Sequence, residues 1–263
     1  MNIVVCVKQV PDSWAEKKLN PQDNTLDREA TDAVVNELDE FAIEEALQLQ
    51  ERLGGPEAVT VTALTMGPAK AVESVRKALQ MGADAGVHIA DDALHGTDAL
   101  GTSLVLAKAI ERLGPELVIM GSESTDARMS VVPAMVAERL GRPQLTFANK
   151  VEVDGTQIRI QRQTDDGYDK VEATLPAVVS VVEKINEPRY PSFKGIMAAK
   201  KKPVDTLSLD DLGVTADEVG LGGSWSAVAD FATRPPRQAG TIVTDEGDGG
   251  AKLAEFLATH KFI

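Results

Sequence analysis

Leu117-Val-Ile-Met-Gly-Ser-Glu-Ser-Thr-Asp-Ala-Arg-Met-Ser-Val-Val-Pro-Ala-Met-Val-Ala-Glu-Arg-Leu-Gly141 is the stretch that decides the fold. Residues 117–120 are an unbroken apolar run, as expected of a strand covered on both faces. A polar loop, 121–130, follows. Residues 131–140 then read as a helix stopped by Gly141. The same strand–helix alternation runs upstream. Strands are expected at 2–10, 58–65 and 86–89, and helices at 38–53, 69–81 and 99–113. Leu38, Phe41, Ala42, Ala46 and Leu49 mark the apolar face of the first helix, Asn36 is its cap, and Asp39 is an acidic first-turn residue. Repeated units of this kind build a parallel sheet with right-handed crossovers.

Downstream the pattern changes. Asp154-Gly155 and Asp166-Gly167 are hairpin signals, so 150–174 reads as an antiparallel meander feeding a strand at 178–182. Residues 203–223 are acidic and glycine-rich, 225–231 form a small apolar patch, and Arg234-Pro-Pro-Arg237 breaks regular structure. A turn at 245–250 and a short helix at 251–257 end the chain. This tail is too short and broken to bury a core of its own. It reaches across a partner or wraps its own domain. The expectation is therefore α/β: a Rossmann-like, doubly wound, mostly parallel sheet with an antiparallel meander and an extended C-terminal arm. Residues 1–205 would be a nucleotide-binding domain and 206–263 the arm.

Composition narrows the function. Of 263 residues, 43% are hydrophobic, enough for a packed core. The net charge of −14, from 41 acidic and 27 basic residues, argues against nonspecific nucleic-acid binding. No apolar run reaches the ~18 residues of a membrane span, and the N-terminus has no signal-peptide anatomy. A single Cys6 rules out an internal disulfide, reads as a small buried side chain, and fits a reducing cytoplasm. His88, His95 and His260 are scattered, so no metal site is expected. There is no Walker A loop, no G-x-S-x-G elbow and no G-x-G-x-x-G after the first strand, so no catalytic site is expected either. Asp165-Asp166 reads as a hairpin turn rather than a paired carboxylate.

In open parallel sheets, ligands sit outside the carboxyl ends of the strands, at a switch point. Three loops converge there: Cys6 to Gln9, Met66-Gly67, and 121–130. The helix start after Ser130 offers free N–H groups and a positive dipole end for a phosphate. Ser130 as a plain helix cap is the other reading.

A second stretch stands out: Asn186-Glu-Pro-Arg-Tyr-Pro-Ser-Phe-Lys-Gly-Ile-Met-Ala-Ala-Lys-Lys-Lys202. Pro188, Pro191 and Gly195 prevent one long regular element. Tyr190, Phe193, Ile196 and Met197 nevertheless need cover, from their own domain or from another protein. With Val5-Cys-Val-Lys8, Asn36 ahead of Glu44-Glu-Ala46, Gly67-Pro-Ala69 ahead of Ala78-Leu-Gln-Met-Gly-Ala-Asp84, Arg162 ahead of Asp165-Asp-Gly167, and Leu175-Pro-Ala-Val-Val179, this stretch resembles the β subunit of electron-transfer flavoproteins. The resemblance covers residues 2–213.

The resemblance implies a heterodimer with an α subunit that holds most of one FAD. Such carriers take electrons from dehydrogenases, those of fatty acid oxidation among them, and pass them to a quinone oxidoreductase. It implies a structural AMP in the β subunit. On matching positions Cys6 and Val7 line the adenine, with Asn36 and Met66 nearby. Gly121, Asp126, Met129, Ser130, Val131 and Val132 surround the ribose and phosphate. Val131-Val-Pro133 departs from the family, which often has polar residues and a glycine here, so fewer donors reach the nucleotide. This also weighs against a second FAD, as in electron-bifurcating relatives. Ser13 or Trp14 would face the flavin. Phe193 falls on the docking anchor of a partner-recognition loop, 186–202, with Arg189, Tyr190, Ile196 and Met197 around it. A stand-alone nucleotide-binding enzyme or a sensor on the same fold are the alternatives. The enzyme would need a phosphate loop or acid–base machinery that the sequence lacks.

Overall fold

The computed structural model describes residues 1–237, 239–240 and 242–263. In chain order the elements are β1 (Asn2–Cys6), β2 (Gln9–Pro11), β3 (Ala33–Val35), α1 (Glu37–Arg52), β4 (Thr60–Met66), α2 (Val72–Met81), β5 (Ala85–Ile89), α3 (Ala99–Leu113), β6 (Leu117–Gly121) and α4 (Val132–Leu140). There follow β7 (Gln144–Asp154), β8 (Gln157–Thr164), β9 (Gly167–Thr174), β10 (Ala177–Val181), α5 (Phe193–Ala199), β11 (Val204–Leu207), α6 (Leu209–Leu212), α7 (Gly220–Gly223) and α8 (Gly249–Thr259). Nine strands form one sheet in the order β11-β5-β4-β1-β6-β10-β7-β8-β9. From β11 to β7 the pairs are parallel, and β7-β8-β9 are antiparallel. This is the expected doubly wound α/β arrangement.

The central strands are buried on both faces because successive side chains point to opposite sides. Ile3 and Val5 join Ile43, Leu47, Leu79 and Ile119 in the core beneath α1 and α2. Val4 and Cys6 join Ile89, Ile110, Val118 and Val136 on the other face, beneath α3 and α4. Asp98 caps α3 by accepting from the Gly101 amide at 3.0 Å, and Gly114 ends it in the left-handed conformation.

Four details correct or complete the sequence reading. The first strand is split. β1 stops at Cys6, and β2 pairs with β3 in a separate antiparallel ribbon. The meander starts earlier, because β7 belongs to two ladders. Its first residues run parallel to β10, and after a shift near Ala148 it turns antiparallel to β8. Phe147, at φ 60, marks the irregularity. Residues 186–202 contain a short helix, α5, rather than loop throughout. Finally, 206–229 is the part of the arm that wraps its own domain. β11 extends the sheet beside β5, and Leu207, Leu209, Leu212, Val214 and Val219 are buried in the second core.

By compactness the chain divides into Met1–Ala229 and Asp230–Ile263. The second unit carries α8, with Phe256, His260 and Phe262 clustered at its end. No described helix is long and apolar enough to cross a membrane.

Candidate functional site

The strand order reverses at β1, whose neighbours are β4 and β6. Asp39, in the first turn of α1, lies across the carboxyl ends of β1 and β6. Its Oδ2 accepts from the Lys8 amide at 2.7 Å. Gly121 makes room for it, since a Cβ there would stand 2.4 Å from Asp39 Oδ1 and 2.9 Å from the Leu38 backbone. Burial pushes the Asp39 carboxyl up to about 7, with hydrogen bonds from Asn36, Lys8 and Gly121 offsetting part of the rise. Burial, and the neighbouring Asp39, push the Cys6 thiol up as well.

Residues 122–130 fold over this floor, tied to α1 and to the stretch after β2. The Asn36 side-chain amide donates to Glu123 O at 2.8 Å, and its oxygen accepts from the Thr125 amide at 3.0 Å. Asp126 is held by Lys8 Nζ at 2.8 Å and Arg28 Nη2 at 2.9 Å, and its side chain is almost fully covered. Burial alone would raise its pKa, but these cations hold it well below the usual carboxylate range. Lys17 Nζ donates to Thr125 O at 2.7 Å. Ser130 sits at φ 55 and its hydroxyl donates to Glu123 Oε2 at 3.0 Å. The cap of α4 is therefore Val131, with no side-chain bond, and the reading of Ser130 as a plain cap is corrected. Cys6 and Val7 are buried at the end of β1, Met66 is half-buried at the end of β4, Val131 and Val132 are half-buried, and Met129 is exposed. The Thr125 hydroxyl is buried and has no hydrogen-bond partner among the described residues.

The stretch 186–202 is built differently. Ser192 caps α5 by accepting from the Gly195 amide at 3.0 Å. Tyr190 and Phe193 are 93% and 81% exposed, and Ile196 and Met197 are also exposed. Packing of Phe193 into its own domain is thereby excluded. Arg189 is turned inward. Its Nε and Nη2 donate to both oxygens of buried Glu44 at 2.7 and 3.0 Å, and its Nη1 donates to Glu51 at 2.7 Å. Burial would raise the Glu44 pKa, but Arg189 and Gln48 bring it below the ordinary value.

The electron transfer flavoprotein domain model matches residues 23–212. The electron transfer flavoprotein subunit beta of Mycobacterium bovis is 54% identical over 265 residues, covering 100% of this chain and 99% of the relative. The chain belongs to the electron transfer flavoprotein β-subunit family. The Mycobacterium leprae β subunit is likewise 54% identical, over 268 residues with 100% and 99% covered. A subunit named CarD, of the caffeyl-CoA reductase-Etf complex of Acetobacterium woodii, is 34% identical over 245 residues, with 93% and 92% covered. Family membership makes this chain a subunit of an electron carrier, implies an α-subunit partner, and implies a flavin in the assembly.

Ser13 and Trp14 lie after β2, apart from the loop at 122–130. Ser13 donates to Glu37 Oε1 at 2.7 Å, whereas Trp14 is 95% exposed. Both line a cavity of about 430 Å³ shared with Gln9, Val35, Glu37 and Lys77. Sequence reasoning missed the roles of Lys17, Arg28 and Thr125. Residues 11–35 show no helix or strand periodicity that would place Lys17 and Arg28. Asp39 was visible only as a helix-start acid, because its burial depends on Gly121, far along the chain.

Proposed function

We propose that the chain pairs with an α subunit holding most of one FAD, accepts electrons from dehydrogenases and delivers them to a quinone oxidoreductase, in the reducing cytoplasm. The observation that carries this reading is the apolar group Tyr190, Phe193, Ile196 and Met197, left in water on a capped helix and just ahead of it. Exposed aromatic and aliphatic side chains clustered in this way mark a docking surface. The flavin supplies the redox chemistry when bound, and this chain supplies position and partner choice. Trp14 presents its indole to the partner subunit, on the rim of an open cavity after β2. Ser13, bonded to Glu37, orients that rim.

The switch point suits a structural AMP. Cys6 and Val7 give an apolar floor, with Asn36 and Met66 beside it. Gly121, Asp126, Met129, Ser130, Val131 and Val132 form the rim, and Val131 and Val132 offer backbone N–H groups near the start of α4. The free hydroxyl of Thr125 and the cations Lys8, Lys17 and Arg28 favour a polar, anionic ligand. A second FAD in this place is not favoured, since Pro133 contributes no N–H.

Two measurements test the proposal. Small molecules released from the purified heterodimer should contain about one FAD and one AMP per complex; an empty β pocket would remove the AMP part. Phe193→Ala should raise the KM of a reducing dehydrogenase for the carrier by roughly thirtyfold, as loss of a central apolar anchor typically does. An unchanged KM would end the docking role.

A further inference from the structure

Helix α5 poses a physical problem. Seven residues are too few to hold a helix in water, and none of these is buried. Phe193, Ile196 and Met197 face outward, and of its apolar side chains Ala199 is the one packed against the first core, so apolar burial attaches it only weakly. The attachment is on its inner side, to α2. Gly195 lies so close to α2 that a Cβ would stand 2.5 Å from the Gln80 carbonyl oxygen. Lys202, just beyond α5, donates its ammonium to Leu79 O at 3.2 Å, Gly82 O at 2.9 Å and Ala83 O at 2.5 Å. These carbonyls lie at the last turn of α2 and in the two residues that follow it, where unpaired acceptors and the negative dipole end favour a cation. Burial pulls the Lys202 pKa down. Lys202 is thus committed to the fold, whereas Lys200 and Lys201 are exposed.

We infer that Gly195 and Lys202 are positioning residues for docking: together they seat α5 on the end of α2, so that Phe193, Ile196 and Met197 are presented already ordered. The inference rests on the docking role proposed above and adds its mechanism. Ordering a loop and its side chains at the moment of association weakens binding. A helix seated beforehand avoids that loss.

Gly195→Ala separates this role from simple helix support. Alanine is the better helix former, so support alone predicts unchanged or tighter docking. Positioning predicts that the added Cβ lifts α5 off the Gln80 carbonyl and weakens docking. The experiment uses the heterodimer and a fatty-acid-oxidising dehydrogenase as electron donor. Gly195→Ala and Lys202→Met should each raise the KM for the carrier about tenfold at unchanged kcat. Flavin content should stay that of the parent, and amide exchange over 193–201 should quicken. Lys202→Arg, which still donates to carbonyls, should restore most of the loss. Suppose Phe193→Ala raises KM while Gly195→Ala and Lys202→Met leave it unchanged. The positioning role is then overturned and docking stands. If Phe193→Ala also leaves KM unchanged, the docking role fails first and the inference falls with it. A KM that rises only in proportion to unfolded protein, measured by melting on the same preparations, also overturns it.

Discussion

The loop after β6 and the segment after β10 leave adjacent strands of one sheet, yet they use their side chains in opposite ways. Residues 122–130 turn inward. Asn36, Lys8, Arg28 and Lys17 occupy the backbone and carboxylate of this loop from three directions. Residues 186–202 are fastened from behind by Asn186, Arg189 and Lys202, and their apolar side chains stay in water. The two modes of attachment leave different surfaces behind. Charge and backbone contacts can hold a segment in place while its hydrophobic groups remain unused. A loop held through its backbone and its Asp126 by polar side chains from other segments is instead committed to its own domain.

The contrast can be broken most severely at Gly121. Gly121→Ala drives a Cβ into Asp39 and the Leu38 backbone, so the floor beneath the inward-turned loop must shift. We expect a loss of about 3 kcal/mol, typical of overpacking against backbone, readable by denaturant unfolding of the heterodimer. Stability equal to the parent would mean that α1 is free to move away from β6. Next comes Arg189→Ala, which removes the rear fastening of the exposed segment. Glu44 would be left buried with only Gln48 as a side-chain partner. Because Arg189 is itself one-third exposed, the loss should be at the low end for a broken buried pair, about 2 kcal/mol. A thermal melt of parent and variant measures it.

The two regions should also respond oppositely to pH. Asp39 has its folded value raised from 3.8 to about 7, so its contribution is full below 3.8 and lost as pH rises through about 7. Glu44 is lowered, so its contribution is present above its ordinary value of 4.5 and is lost as pH falls through its folded value. Melting temperature followed from about pH 4 to about pH 7 should carry a downward term that Asp39→Asn removes, whatever the variant's offset. If parent and variant have the same slope over that range, Asp39 is not the titrating group. The smallest expected effect is on stability at the exposed face. Phe193→Ala should change folding free energy by no more than ~0.5 kcal/mol, as an exposed side chain does. A larger loss would place Phe193 inside the domain and erase the contrast.

The sequence by itself determined the parallel sheet and its crossovers. Apolar runs such as residues 117–120 and 178–182 read as strands buried on both faces, and the helices at 69–81 and 131–140 carry their own stop signals at Gly82 and Gly141. Periodicity and capping are local, so they are legible without the fold. The sequence also singled out Phe193 and its neighbours, because apolar residues beside prolines and a glycine stand out without any contact map. Tertiary structure alone decided the rest. Whether Arg189 faces a partner or Glu44 depends on a contact 145 residues away. Val204–Leu207 became a strand because the edge of β5 was free to pair, against an acidic, glycine-rich context. Asp39 became a buried acid because Gly121 lacks a Cβ. Each of these outcomes depends on a pairing between distant positions, and burial and charge compensation are properties of such pairs rather than of any local stretch.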